Sequence, residues 1–374
     1  MVTGGGAAPN GVENNVIFSG ATTNSYTGTT YVQGHMNLQK PNYVMAIPGN
    51  LDIGTVGLLS ISTLGQIYAN ASIMNRGAIS YTCNPGPTFS GTVTNQGGSI
   101  YLNGYRLFTL NGPGTGFAFN GGLVSVPNVN CDFNLLTDVS CDASSQHQAI
   151  FSGAGNIWLA AGSSTIRTFN LTDSATLPAG TSEMVVAPSF RQSGGTASLR
   201  KTGSGVLELT GINTYTGTNT IDAGTLLANS ALATGYGSVI VTNTGTLGGT
   251  GIVLGAVSVY SGASLTPGLW ASAGTLTVSN NVNLKTGSTF NVGLSGSGNG
   301  LLICSNLTLA GYVSPTPLPG YTMPYSGAWT IATVLGAGTI DKTGATTPPG
   351  YTLKVTGSNL ILNKPSTGMT CFFK

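Results

Sequence analysis

Charge is scarce in this sequence. Aspartate and glutamate together number ten and lysine and arginine twelve among 374 residues, 6% of the chain, where ordinary soluble domains carry roughly 25%. The cations are scattered singly from Lys40 to Lys374, and Arg200-Lys201 is the one adjacent pair. A nucleic-acid partner requires clustered cations that displace counterions from phosphates, so none is expected. No stretch of 18 apolar residues occurs, which leaves no candidate for a membrane-crossing helix, and no membrane insertion is expected. The opening "MVTGGGAAPNGVENN" has neither the charged nor the apolar segment of a secretory leader; the expectation is that a leader was removed or that export uses another route. Histidine is limited to His35 and His147, and no C-x-x-C, H-E-x-x-H, G-x-x-x-x-G-K or G-x-S-x-G motif is present. The usual signatures of zinc, phosphate-loop and serine-hydrolase chemistry are therefore missing. Helical periodicity is missing too: Gly, Pro or Asn interrupts almost every window of ten to twelve residues.

What fills the chain instead is glycine, 57 residues in all, with threonine, serine and asparagine around a normal apolar share of 40%. A net charge of only +2 with that apolar share excludes a disordered polar chain. Alternation with period two recurs. "GVLELTG" sets Leu207 and Leu209 on one face. "GTLTVSNNVNLKTGSTFNVGL" does the same for Leu276 and Val278, for Val282 and Leu284, and for Phe290, Val292 and Leu294. Each run is short and bounded by Gly, Asn or Ser, the mark of strands with frequent turns.

Internal repetition chooses among sandwich, barrel and solenoid. "NSYTGTTYVQGHMNL" at Asn24–Leu38 echoes "NTYTGTNTIDAGTLL" at Asn213–Leu227, and a looser G-T-L echo recurs at Gly224, Gly245 and Gly274. Repeated strand–turn units without helices point to an all-β fold, a right-handed parallel β-helix or β-solenoid. Inward residues would stack in apolar columns, outward ones would meet water, and Gly and Asn would take the left-handed corners. At roughly 20–25 residues per rung the chain has room for about 15–18 rungs. The reading divides it into residues 1–23, an N-terminal strand or tail; residues 24–364, the β-helix, with repeat copies near 24–38 and 199–229; and residues 365–374, a C-terminal tail.

"LRKTGSGVLELTGINTYTGTNTIDAGTLLAN" (Leu199–Asn229) closely resembles the passenger-associated transport repeat, also called the autotransporter-associated β-strand repeat. Lys201, Gly203, Gly205, Leu207, Leu209, Gly211, Asn213, Tyr215, Gly217, Ile221, Gly224 and Leu226 match its pattern, and Asn219 departs from the usual Thr. "NYVMAIPGNLDIG" and "SGASLTPGLWASAGTLTV" resemble other segments of such proteins, and the stretch from about Ile79 to Gln146 is the least typical. The resemblance implies a secreted or surface-displayed parallel β-helix, followed in autotransporters by a membrane β-barrel that is not recognisable here.

Candidate chemistry is thin. Asp132, Asp138 and Asp142 form the one dense acidic group, with calcium-type oxygens but no calcium-loop spacing; a polar loop is the plainer reading. Cys131 and Cys141 are close enough in sequence for a disulfide across neighbouring turns, and buried thiols are the alternative. Tyr26 and Tyr215 occupy the same repeat position, as ladder residues or as sugar-stacking platforms. "PTPLPGYTMPYSGAW" (Pro315–Trp329) reads as a protruding loop able to touch a partner.

No catalytic residue, metal or cofactor is expected, and the chain is not expected to be an enzyme. The favoured reading is an extracellular structural protein, a β-solenoid subunit of a surface fibre or layer. Its partner would be a second copy of itself, because the terminal rungs of a solenoid expose unpaired strand edges. Val16, Ile17 and Phe18 near one end and Met369, Phe372 and Phe373 near the other are the candidate assembly contacts. A monomeric rod-like adhesin binding surface glycans is one alternative, and a β-helical polysaccharide lyase or hydrolase is another.

Overall fold

The computed structural model describes residues 15–366 except 84–87, 104–107, 112–115, 143, 145, 269–271 and 297. All described regular structure is β-strand, and parallel pairing dominates it. The expected β-solenoid is present, with about 12 turns. That is fewer than the 15–18 expected, because turn lengths vary. Inter-turn hydrogen bonds join residues 20 apart at Asn75–Asn95 but 34 apart at Gln148–Ser182. Corner loops absorb the surplus residues. The chain divides into two compact units, 1–217 and 218–374.

In the first unit three parallel ladders coil around one interior. One runs from Asn15–Phe18 through His35–Leu38 and Leu58–Ile61 to Val206–Leu209. A second runs from Thr30–Val32 to Ala197–Thr202. The third runs from Thr88–Phe89 to Ser189–Ser193. Side chains alternate in and out, so one inward position of the second ladder builds a column: Leu51, Ile73, Val93, Phe117, Val139 and Phe169 in register, all buried. Between about Ile79 and Gln146, where the repeat pattern is least typical, the interior is aromatic. The Phe117 ring lies 4.4 Å from that of Phe119, 6.1 Å from Phe133 and 6.0 Å from Phe151.

The corner between the first two ladders is built from asparagine and glycine. Asn75 and Asn95 point inward and are fully buried. Asn75 Nδ2 donates to Asn95 Oδ1 at 2.8 Å, and Asn95 Nδ2 to the Gly98 carbonyl at 2.9 Å. Such a chain pairs both amide nitrogens and the Asn95 oxygen, which burial would otherwise penalise. Gly122 has φ +108°, and a Cβ there would run into the Gly98 carbonyl and the Asn95 amide. Gly122→Ala is therefore expected to destabilise the protein by more than about 1 kcal/mol, read as a lower urea midpoint at unchanged slope.

The second unit opens on two long strands, Asn219–Ala228 and Val239–Gly249, paired in parallel. Three parallel ladders continue it, one of them through Ile252–Val253, Thr275–Val278, Leu301–Cys304 and Gly327–Val334. The faces expected from alternation are confirmed: Leu276, Val278, Leu284, Phe290, Val292 and Leu294 are all fully buried. The end of this unit departs from the all-parallel expectation. Asn359–Lys364 pairs antiparallel with Gly327–Val334, and Thr352–Thr356 pairs antiparallel with Asn359–Lys364. The tight connection at Thr356–Asn359, with Gly357 at φ +58°, is too short for a parallel crossover and returns the chain as a hairpin. Its outer strand is mostly exposed and carries Lys354, a charge of the kind that discourages further strand addition.

Candidate functional site

The repeat residues serve the interior. Leu199, Leu207, Leu209 and Ile221 point inward and are fully buried. Asn213 accepts the Phe190 backbone N–H at 2.6 Å, and the buried Tyr215 ring packs 6.4 Å from Phe190. Tyr215 is thus a ladder residue, not a stacking platform. Tyr26, its counterpart, is more exposed and meets Thr30 Oγ1 at 2.7 Å through its hydroxyl.

Lys201 is the unexpected member. It pairs in register with Phe169 and so extends the inward column with an amine. Nζ donates to the Thr202 and Gly203 carbonyls at 2.7 and 2.8 Å. Burial pushes its pKa down to about 7, against the opposing pull of the Glu183 carboxylate. Glu183 is itself buried and accepts the Ser174 and Val206 backbone N–H groups at 3.2 and 2.6 Å. A shifted amine of this kind often marks catalysis. Here its hydrogen bonds go to a backbone corner, which is the work of a pin.

The three clustered aspartates do not converge. Asp132 accepts from Asn156 Nδ2 at 2.9 Å, Asp138 from the Thr168 N–H at 2.8 Å, and Asp142 from the Ser144 N–H at 2.9 Å. Among the described residues no three His, Cys, Asp or Glu side chains gather as a metal site. His35 faces outward to Ser60 Oγ at 3.1 Å, and His147 lines a surface hollow. Of the two readings for Cys131 and Cys141, buried thiols hold and no disulfide links them. Cys131 donates to the Leu102 carbonyl at 3.3 Å, while Cys141 occupies a column between Phe119 and Leu171. The two thiols belong to different parts of the interior, and burial raises the Cys131 pKa to about 11.

Of the candidate assembly contacts, Met369, Phe372 and Phe373 lie outside the described residues. Val16, Ile17 and Phe18 form the first strand of their ladder. Val16 and Phe18 stack on Met36 and Leu38 but are only half-buried, whereas Met36 is 2% exposed and Leu38 is fully buried. Among the described residues this strand pairs with His35–Leu38 alone. The Pro315–Trp329 segment keeps Tyr325 93% exposed, with Lys364 Nζ donating to the Pro324 carbonyl at 3.0 Å.

One surface feature was not anticipated. Outward residues of the second ladder form a row, Asp52, Met74, Thr94, Ala118, Ser140 and Asn170. A second outward row, Arg76, Gln96, Asn120, Asp142 and Thr172, borders it, each N–H bonded to the turn before. The small side chains at Thr94, Ala118 and Ser140 leave a hollow of about 440 Å³ between larger neighbours. A second hollow of about 540 Å³ shares Gln96 and Asn120. The signal was in the sequence as "NRGAI", "NQGGSI" and "FNGGLV", a polar residue before glycine that recurs once per turn. The arginine in this region is already committed, since Asp52 binds Arg76 Nη2 through both oxygens at 2.6 and 2.8 Å. Asp52 and Ser140 stand four rungs apart, about 19 Å at strand spacing, and Asp142 lies just beyond Ser140. A glycosidase pair needs about 5–9.5 Å.

Comparison with known proteins matches the passenger-associated-transport-repeat family to residues 199–228. Over 120 residues, 32% of this chain, the sequence is 35% identical to the adhesin BmaC autotransporter of Brucella suis biovar 1 (strain 1330). The chain spans about 3% of that protein's length. It thus carries this repeat on a β-solenoid and is similar to an autotransporter passenger.

Proposed function

We propose that the chain is a non-catalytic extracellular scaffold of the autotransporter-passenger kind, structural and adhesive in role, and that copies associate through the first rung. The dispersal of the acids carries the non-catalytic part. Asp52 is spent on Arg76, Asp132, Asp138 and Asp142 each serve separate partners, and Glu183 serves two backbone amides. The similarity to an adhesin supports the extracellular, adhesive part. The association part rests on the half-exposed inward residues Val16 and Phe18, beside an Ile17 that is 53% exposed. Covering them would extend the parallel ladder by one more pairing, and a head-to-tail contact of this kind makes an open polymer.

The test is sedimentation velocity and negative-stain microscopy of the whole chain over a range of concentrations. Mass is expected to grow with concentration, and a Val16→Lys, Phe18→Lys double variant is expected to remain smaller. A single monomeric species at every concentration would remove the assembly part. Hydrolysis or eliminative cleavage of a polysaccharide by the pure protein would remove the non-catalytic part.

A further inference from the structure

The trough on the second ladder of the first unit has no part in the interior or in the first rung. Its chemistry is distinctive. Along its bed the outward side chains are small, Thr94, Ala118 and Ser140 at successive rungs, with the apolar Met74 at one end and Asn170 at the other. Along its wall stand Gln96, Asn120 and Asp142, also at successive rungs. Neighbouring groups orient these wall residues. Arg76 Nη1 donates to Gln96 Oε1 at 3.4 Å, which leaves the Gln96 amide nitrogen as the donor it has to offer. Asn120 Nδ2 donates to Ser144 Oγ at 3.1 Å, which leaves its carbonyl oxygen as an acceptor. Asp142 uses one oxygen on the Ser144 N–H and keeps the other. Backbone hydrogen bonds to the turn before fix where these residues stand, which lowers the ordering a ligand must impose.

We propose that this trough binds a linear neutral oligosaccharide lying along the stacking direction, across several rungs. Donors and acceptors recur at the strand spacing, roughly 4.8 Å, close to the length one sugar unit adds to an extended chain. A pyranose has an apolar C–H face and a rim of hydroxyls. The bed supplies methyl and thioether surface for the face, and the wall supplies amides, hydroxyls and a carboxylate for the rim. A few convergent polar groups on partly apolar ground are the usual make-up of small-ligand sites, and the hollows fall in their size range. Charge selects against acidic sugars, because Asp52 already neutralises Arg76 and Asp142 adds a negative charge. This inference does not depend on how copies assemble, and its readout is separate.

The experiment uses saturation-transfer NMR and calorimetry on the whole chain, with cellohexaose, maltohexaose, N-acetylchitohexaose and hexagalacturonate as probes. At least one neutral hexasaccharide is expected to bind and the uronate to bind at least tenfold more weakly. Ala118→Trp fills the bed from the outward side and is expected to weaken binding at least tenfold. A Gln96→Ala, Asn120→Ala double variant, which removes wall groups without adding bulk, is expected to do the same. Tyr101→Ala, at an exposed position on the first ladder, is expected to leave binding unchanged. Silence from all three neutral probes at millimolar concentration, equal binding of the uronate, or binding that survives both trough variants would overturn the proposal. Light scattering of the same samples reports assembly independently, so failure here is distinguishable from failure of the assembly reading.

Discussion

Phe117→Ala is expected to lower the unfolding free energy by about 3–5 kcal/mol, the usual cost of emptying a buried aromatic site. Phe117 is 1% exposed and sits between Val93 and Val139 in its column. Its ring also contacts those of Phe119, Phe133 and Phe151, two of them edge-on at 87° and 86°. Truncation therefore removes buried area and three ring contacts at once. The site cannot easily collapse, because its neighbours are held in register by ladders above and below. The check is urea unfolding followed by far-ultraviolet circular dichroism, with Tyr101→Ala as the exposed control. That control should stay within about 0.5 kcal/mol of the parent. A Phe117→Ala midpoint equal to the parent would contradict the packed interior described here.

The second large effect concerns pH. Lys201 titrates near 7 when folded because burial opposes its charge, against about 10.4 in an unfolded chain. Between these values the unfolded chain binds more protons than the folded one, so stability must rise with pH across that window. Over pH 7 to 8 the gain from Lys201 is expected to be about 1 kcal/mol. Above about pH 8 the buried thiols oppose it, because an unfolded thiol ionises near 8.5. Burial raises the pKa of Cys83, that of Cys131 to about 11 and that of Cys304 to about 12. Those thiols ionise first in the unfolded chain, so their contribution is lost as pH climbs. The urea midpoint should therefore peak between about pH 8 and 9. Lys201→Met should flatten the rise between pH 7 and 8, because it leaves Glu183 with its two backbone donors and places a thioether on the Phe169 column. A parent midpoint that stays level or falls from pH 7 to 8 would show that Lys201 does not carry this penalty.

Much of the architecture could be read from local pattern. Leu207 with Leu209, and Phe290 with Val292 and Leu294, alternate with polar neighbours, and such alternation has one meaning when turns are frequent. The echo of Asn24–Leu38 at Asn213–Leu227 then selected a solenoid. The pattern was blind where geometry depends on what comes from the next turn. Cys131 and Cys141, ten residues apart, looked like partners, but columns join residues about 20 or more apart and send these two thiols to different places. The closing hairpin was hidden because Thr352–Thr356 and Asn359–Lys364 alternate just as parallel strands do, and direction leaves no trace in alternation. The wall of the trough leaves a mark, the polar residue before glycine in each turn, but its bed was hidden because Thr94, Ala118 and Ser140 are unremarkable singly and become a bed only when stacked.

Composition and periodicity thus determined that this chain is all-β, with oily residues inside and hydroxyls and amides outside, since those properties follow from which residues neighbour each other along the strand, and internal repetition selected parallel stacked turns. Tertiary structure alone decided which outward residues share a surface, that Lys201 occupies an apolar column, and how the second unit ends. Those outcomes depend on the register between turns, and the loops at the corners set that register with lengths that no local pattern records.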